Sequence, residues 1–206
     1  MILDPSSLPT NDVYRFLISA VVPRPIAFVS TVSADGVTNL APFSYFNAVS
    51  SEPPLVAIAV SDREGDPKDT LRNIREMKEF VVNVVSEPLL DAMVSTAGDW
   101  PRVTSEFGPS GLTPAPSLRV RAPYVAESPL QLECRLHREI PLGNSILVVG
   151  EVVLARVRDD VLTDGRVDAT KLAPVGRLGG EFYAPLGSIL KRKRPRVSRS
   201  TGEVQG

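Results

Sequence analysis

Nineteen prolines and fourteen glycines are spread over the whole 206-residue chain, so few stretches escape interruption. Proline fixes φ and removes a backbone donor, and glycine weakens any regular element it enters. Long helices are excluded over most of the sequence, and short strands joined by turns become the expected solution.

Ile26 to Ser33 is rich in branched and aromatic side chains and ends at Ala34-Asp35-Gly36, where Asp-Gly supplies the positive φ of a tight hairpin. A second strand follows from about Val37 to Tyr45, and Pro42 within it predicts an edge, a bulge or a break. After the turn signal Ser51-Glu52-Pro53-Pro54, the apolar run Leu55 to Val60 reads as a strand buried on both faces. The period then changes. Leu71, Ile74 and Met77 share one helical face, with Asp66 as the expected N-cap and Pro67 as the first residue of a helix reaching about Lys78.

Phe80 to Val85 reads as a further strand, and Glu87 to Ala97 as a second helix with Leu90, Met93 and Val94 on its apolar face. Gly98 to Pro116 reads as a loop holding Trp100, the only tryptophan, and its length points to ligand binding or a subunit contact. Leu130 to Ile140 and Ile146 to Val157 form two long strands around a Gly143-Asn144 turn. Six or seven strands so spaced do not fit repeated βαβ units. The expected fold is mainly β, an antiparallel barrel with a few appended helices over residues 1–190.

Net charge is −1, but residues 191–206 carry six basic side chains against Glu203 alone, which leaves the body at −6. This tail reads as a solvated, disordered terminus rather than a nucleic-acid contact. Cys134 is the only cysteine, which excludes an internal disulfide, and no basic segment followed by an apolar one opens the chain. A cytoplasmic location is the expectation. No apolar run reaches the roughly 18 residues of a membrane-spanning helix.

Metal chemistry is disfavoured, since one cysteine and one histidine, His137, leave only carboxylates as plentiful ligands. His137 reads as a strand residue with one side-chain hydrogen bond. No nucleophile elbow, dinucleotide fingerprint or P-loop is present. A helix start at Asp66-Pro67-Lys68-Asp69-Thr70 offers open N–H groups, a cation and a hydroxyl, a set suited to a phosphate monoester. Asn39 to Ser50 mixes three aromatics with small polar groups that a core strand does not need.

Four segments carry a resemblance. They are Arg24-Pro25-Ile26-Ala27-Phe28-Val29-Ser30-Thr31, Asn39-Leu40-Ala41-Pro42-Phe43-Ser44-Tyr45-Phe46-Asn47-Ala48, Pro67-Lys68-Asp69-Thr70-Leu71-Arg72-Asn73-Ile74 and Gly150-Glu151-Val152. In this order they resemble the flavin reductase-like family of FMN-binding split β-barrel proteins, over roughly residues 15–187. The resemblance implies a homodimer with FMN at each end of the subunit interface. It implies that Ser30, Thr31 and Val32 line the flavin ring and ribityl chain, and that Ser44 lies near the phosphate. Phe46, Asn47 and Ala48 would follow the ring edge, and Lys68, Asp69 and Thr70 would hold the phosphate. Arg24 is a further candidate phosphate contact, or equally a surface arginine before a proline.

The implied activity is reduction of flavin by NADH or NADPH, with hydride passing to N5 and electrons passing on to oxygen, another flavin or a partner oxygenase. No residue is singled out as catalytic, because hydride transfer asks the protein mainly to position and tune the cofactor. Many family members carry a histidine in the turn occupied here by Gly143-Asn144. Its absence keeps open an alternative, a protein that binds FMN without efficient turnover. Gly176 to Tyr183, glycine-rich and characteristic of a subset of the family, is a candidate to fold over the flavin.

Overall fold

The computed structural model describes residues 2–63, 66–197 and 204–205. Seven strands form one antiparallel sheet: β1 (Ala27–Val32), β2 (Thr38–Phe43), β3 (Phe46–Ser51), β4 (Pro54–Arg63), β5 (Glu79–Val84), β6 (Leu130–Leu142) and β7 (Ser145–Val157). Their order across the sheet is β2-β1-β5-β6-β7-β4-β3. The two edge strands are consecutive in the chain and separated only by Ser44 and Tyr45. Residues 38–43 pair with β1, residues 46–51 pair with β4, and the Ala59 amide donates to the Tyr45 carbonyl at 2.8 Å. One bent strand therefore serves both edges and curls the sheet into a barrel that is split at the bend. The expected mainly β barrel is the observed fold.

Strand alternation divides the packing. Ala27 and Val29 of β1 face the barrel interior with Ile58, Val60, Phe80, Val82 and Val148. Phe28, from the opposite face of β1, packs outside with Leu40, Leu89, Met93 and Phe107. Both faces of β1 are covered, which accounts for the apolar run Ile26 to Val29 at its start. Each fully buried branched or aromatic side chain contributes about 1.5–3 kcal/mol relative to exposure.

Three helices matter for the site: α1 (Thr10–Ala20), α2 (Asp69–Met77) and α3 (Leu90–Ser95). The sequence reading identified no helix at α1, although Val13, Phe16, Leu17 and Ala20 recur there at helical spacing; none of its residues is buried. It also began α2 too early. Asp66 and Pro67 pair as extended chain with Arg63 and Asp62, and the helix starts at Asp69 with Lys68 in the capping position and no side-chain cap. The local cap signal yields to the strand ladder. The helix expected over Glu87–Ala97 divides into a 3-10 turn, Glu87–Leu89, and α3. The long loop is partly structured, with a helical turn at Phe107–Ser110 and a short strand at Pro114–Ala115.

His137 sits where the β6–β7 register slips between Leu136 and Arg138. It is exposed and makes no side-chain hydrogen bond among the described residues, unlike the reading of it as a hydrogen-bonded strand residue. In the tail, residues 191–195 are exposed and irregular, Arg196–Val197 pairs with Val204–Gln205, and residues 198–203 and 206 lie outside the described residues. Among the described residues no helix is long and apolar enough to cross a membrane.

Candidate functional site

The strand bend and the start of α2 approach each other at one end of the barrel. A cavity of 480 Å³ lies between them, bordered by Ser44, Phe43, Lys68, Tyr14, Arg177 and Tyr183. A second cleft of 380 Å³, which shares Pro42, Lys68 and Ala97 with it, continues past Lys68 to Thr70, Arg102 and Trp100. A third, of 420 Å³, shares Arg24 and Ser44 with the first and opens onto Phe46 and Asn47. All three fall within the usual size of small-molecule sites.

The middle cavity is cationic. Arg15, Arg24, Lys68 and Arg177 lie in its wall, and among the described residues no carboxylate does. Lys68 Nζ stands 5.6 Å from the centroid of the Phe43 ring. The Arg177 guanidinium stacks on Tyr183, 4.3 Å from the ring centroid, and donates to the Tyr183 hydroxyl and the Gly180 carbonyl. Burial pulls the pKa of Arg177 down. This segment, Gly176 to Tyr183, thus folds back onto the same cavity as Ser44 and Lys68.

The outer cleft is mixed in charge, with Arg72 and Arg102 beside Asp69 and Glu106. Glu106 accepts the Leu40 N–H at 2.8 Å and so covers the open edge of β2. Burial pushes the Glu106 carboxyl above its ordinary range, against the opposing pull of the Leu40 bond. The Trp100 indole donates to the Ser95 carbonyl at 3.1 Å, which fixes its ring beside this cleft.

Not all of the residues proposed from the sequence face these cavities. Lys68, Asp69 and Thr70 line the outer cleft, Ser44 and Lys68 the middle one, and Ser44, Phe46 and Asn47 the third. Ala48 is exposed on β3. Ser30 and Thr31 are fully buried. The Ser30 hydroxyl donates to the Pro123 carbonyl at 2.5 Å and accepts from Asn83, while the Thr31 hydroxyl accepts from Asn73 at 3.0 Å. Val32 packs with Val81, Val120 and Ala122 on the far face of β1. These three side chains support the site from behind rather than lining it, because both faces of β1 are occupied by protein.

Arg24 is neither a surface residue nor an open anion ligand. It is 5% exposed. Its guanidinium donates to the carbonyls of Ile18 (2.5 Å), Val21 (2.7 Å) and Leu178 (2.9 Å) and lies 3.4 Å from Ser44 Oγ. It therefore ties the end of α1, the glycine-rich segment and the strand bend together. Tyr14, Arg177, Glu106 and Arg102 were not identified from sequence. They lie on elements whose spatial neighbours are distant in the chain, and only Gly176 to Tyr183 carried a signal that could have found one of them.

A profile of the flavin reductase like domain matches residues 19–172. Nitrilotriacetate monooxygenase component B from Bacillus cereus is 38% identical with a TM-score of 0.91, the alignment covering 93% of this chain and 98% of that one. The 2-nitrobenzoate 2-nitroreductase of Pseudomonas fluorescens is 33% identical with a TM-score of 0.88, over 98% and 100% of the two chains. A Shewanella frigidimarina protein described as a flavin reductase with a split barrel domain is 25% identical with a TM-score of 0.83, over 94% and 99%.

Proposed function

Because the chain belongs to the flavin reductase like family, we propose that it is an FMN-binding oxidoreductase that takes hydride from NADH or NADPH. The observation that carries this reading is the convergence of Ser44, on the strand bend, with Lys68, at the start of α2, on one cationic cavity. The donor set fits a flavin phosphate. Lys68 supplies charge, Thr70 a hydroxyl, and the first turn of α2 its open N–H groups. Phe43, Phe46 and Tyr183 give apolar walls for a planar ring, and Ser44 and Asn47 give polar groups at its margin. Bound there, the flavin supplies two-electron redox chemistry, and the protein's task is to hold it in place and limit water access.

A homodimer is part of this reading. Tyr45 at the bend, Leu17 on α1 and Val21 just after it are exposed apolar side chains lining the third cleft, and such patches favour a protein partner. Likeness to a monooxygenase component B supports delivery of reduced flavin to a partner oxygenase. The alternative, a flavin binder without efficient turnover, rests on Gly143-Asn144, which forms only the tight β6–β7 turn between paired Leu142 and Ser145.

The test is anaerobic addition of NADH or NADPH to the purified protein charged with FMN. Rapid bleaching of the oxidised-flavin absorbance is expected. Bound flavin that stays oxidised over minutes would favour the binder, and a protein with no affinity for FMN would overturn both readings.

A further inference from the structure

Two amide–hydroxyl pairs fasten α2 to the barrel, and they differ in one respect. Asn73 of α2 donates to Thr31 of β1 at 3.0 Å, a buried contact that does not line the outer cleft. Asn39 of β2 donates in the opposite sense, to Thr70 of α2 at 2.9 Å, and this pair reaches the wall of the outer cleft beside Lys68. A hydroxyl that accepts a hydrogen bond still has its own proton to give. Thr70 is almost fully buried, and its hydroxyl makes no further hydrogen bond among the described residues. A buried donor so placed requires an acceptor.

We propose that Asn39 is a positioning residue that, by donating to Thr70 Oγ1, leaves the Thr70 hydroxyl to donate to a phosphate held at Lys68. This rests on the flavin-phosphate reading above and adds to it a group that acts through another. Asn39 carries no charge and is mostly buried, so its effect on a ligand depends on which way the Asn39–Thr70 bond runs. An acid at position 39 would reverse that direction, since an ionised carboxylate only accepts, and Thr70 would then give its proton inward.

The test compares FMN with riboflavin, which has the same ring and ribityl chain but no phosphate. Dissociation constants for both are measured by fluorescence quenching in the wild type, Asn39→Leu, Asn39→Asp, Thr70→Val and the double variants Asn39→Leu/Thr70→Val and Asn39→Asp/Thr70→Val. A lost hydrogen bond to a charged group corresponds to about tenfold or more in affinity. Thr70→Val and each Asn39 variant are therefore expected to weaken FMN about tenfold while riboflavin stays within about twofold. Asn39→Leu is expected to have no further effect once Thr70 is Val. Equal losses for FMN and riboflavin, or full additivity in the double variant, would overturn the proposal and leave Asn39 a strut. Because the charge of Asn39→Asp also repels a phosphate directly, the same cycle with Asn39→Ala decides the question should Asn39→Leu not fold. A wild type that binds neither flavin would remove the underlying reading itself, an outcome distinct from FMN binding that Asn39 does not influence.

Discussion

The ring of Phe80 on β5 occupies the space that a side chain at Gly150 on β7 would need. A Cβ built at 150 would overlap Phe80 Cζ and stand 3.3 Å from Cys134 Cβ. Cys134 and Phe80 are paired neighbours across β5 and β6, so the aromatic ring spans three strands of the barrel interior. The glycine of the Gly150-Glu151-Val152 segment thus has a packing role. Gly150→Ala is expected to lower stability by about 1–3 kcal/mol through overpacking. The denaturant midpoint reads this, and an unchanged midpoint would show that Phe80 relaxes at no cost.

Arg24 gives a second expectation, because removing it leaves the carbonyls of Ile18, Val21 and Leu178 without their charged donor. Arg24→Ala is expected to cost about 3 kcal/mol, within the range for losing buried charge-assisted bonds. Proteolysis should then cut first near α1, whose exposed helix loses its anchor. Arg24→Lys offers one compact ammonium in place of a planar fork and should recover only part of the loss.

Glu106 sets a pH dependence. Its folded-state pKa is raised by burial, so ionising it opposes folding. The stability this group contributes is complete at acid pH, below its unfolded pKa, and is lost as pH rises through the folded value. Glu106→Gln keeps an acceptor for the Leu40 N–H without the charge. Urea unfolding at several pH values should show the variant gaining on the wild type towards neutral pH and losing that advantage in acid. A difference independent of pH would contradict the assignment.

Cys134 should be chemically silent in the folded protein. Burial pushes its thiol pKa far up, and the neighbouring Glu133 adds to the shift, so little thiolate forms and reagents lack access. A disulfide reagent at pH 8 is expected to modify it only after denaturant is added. Fast modification of the native protein would mean that β6 opens locally.

The strands could be read from the sequence because each is bounded by its own turn chemistry. Asp35-Gly36 ends β1, Gly143-Asn144 joins β6 to β7, and Pro42 correctly marked β2 as an edge strand. Boundaries went astray where pairing outweighed a local signal. Asp66-Pro67 carried every mark of a helix start yet joined a ladder with Asp62 and Arg63. For the site, Lys68 and Thr70 were readable because one helix tip contains both. Ser30 and Thr31, read as flavin contacts through the resemblance, have buried hydroxyls bonded to Pro123 and Asn73, and a strand buried on both faces gives no hint of which layer its polar groups serve. Arg24 and Arg177 depend on contacts more than 150 positions apart or on a fold-back that no periodic pattern announces.

The bend at Ser44 and Tyr45 lets one strand serve both margins of the sheet, and its two halves pair with near neighbours in the chain, residues 27–32 and 54–58. Those hairpins can form early, but the gap between them takes its final width only when β5, β6 and β7 have brought the margins round. A molecule lodged at Ser44 would recognise the finished circuit and not its parts. Its binding free energy would therefore add to the cohesion of the whole barrel, in proportion to the logarithm of its concentration once the site is saturated.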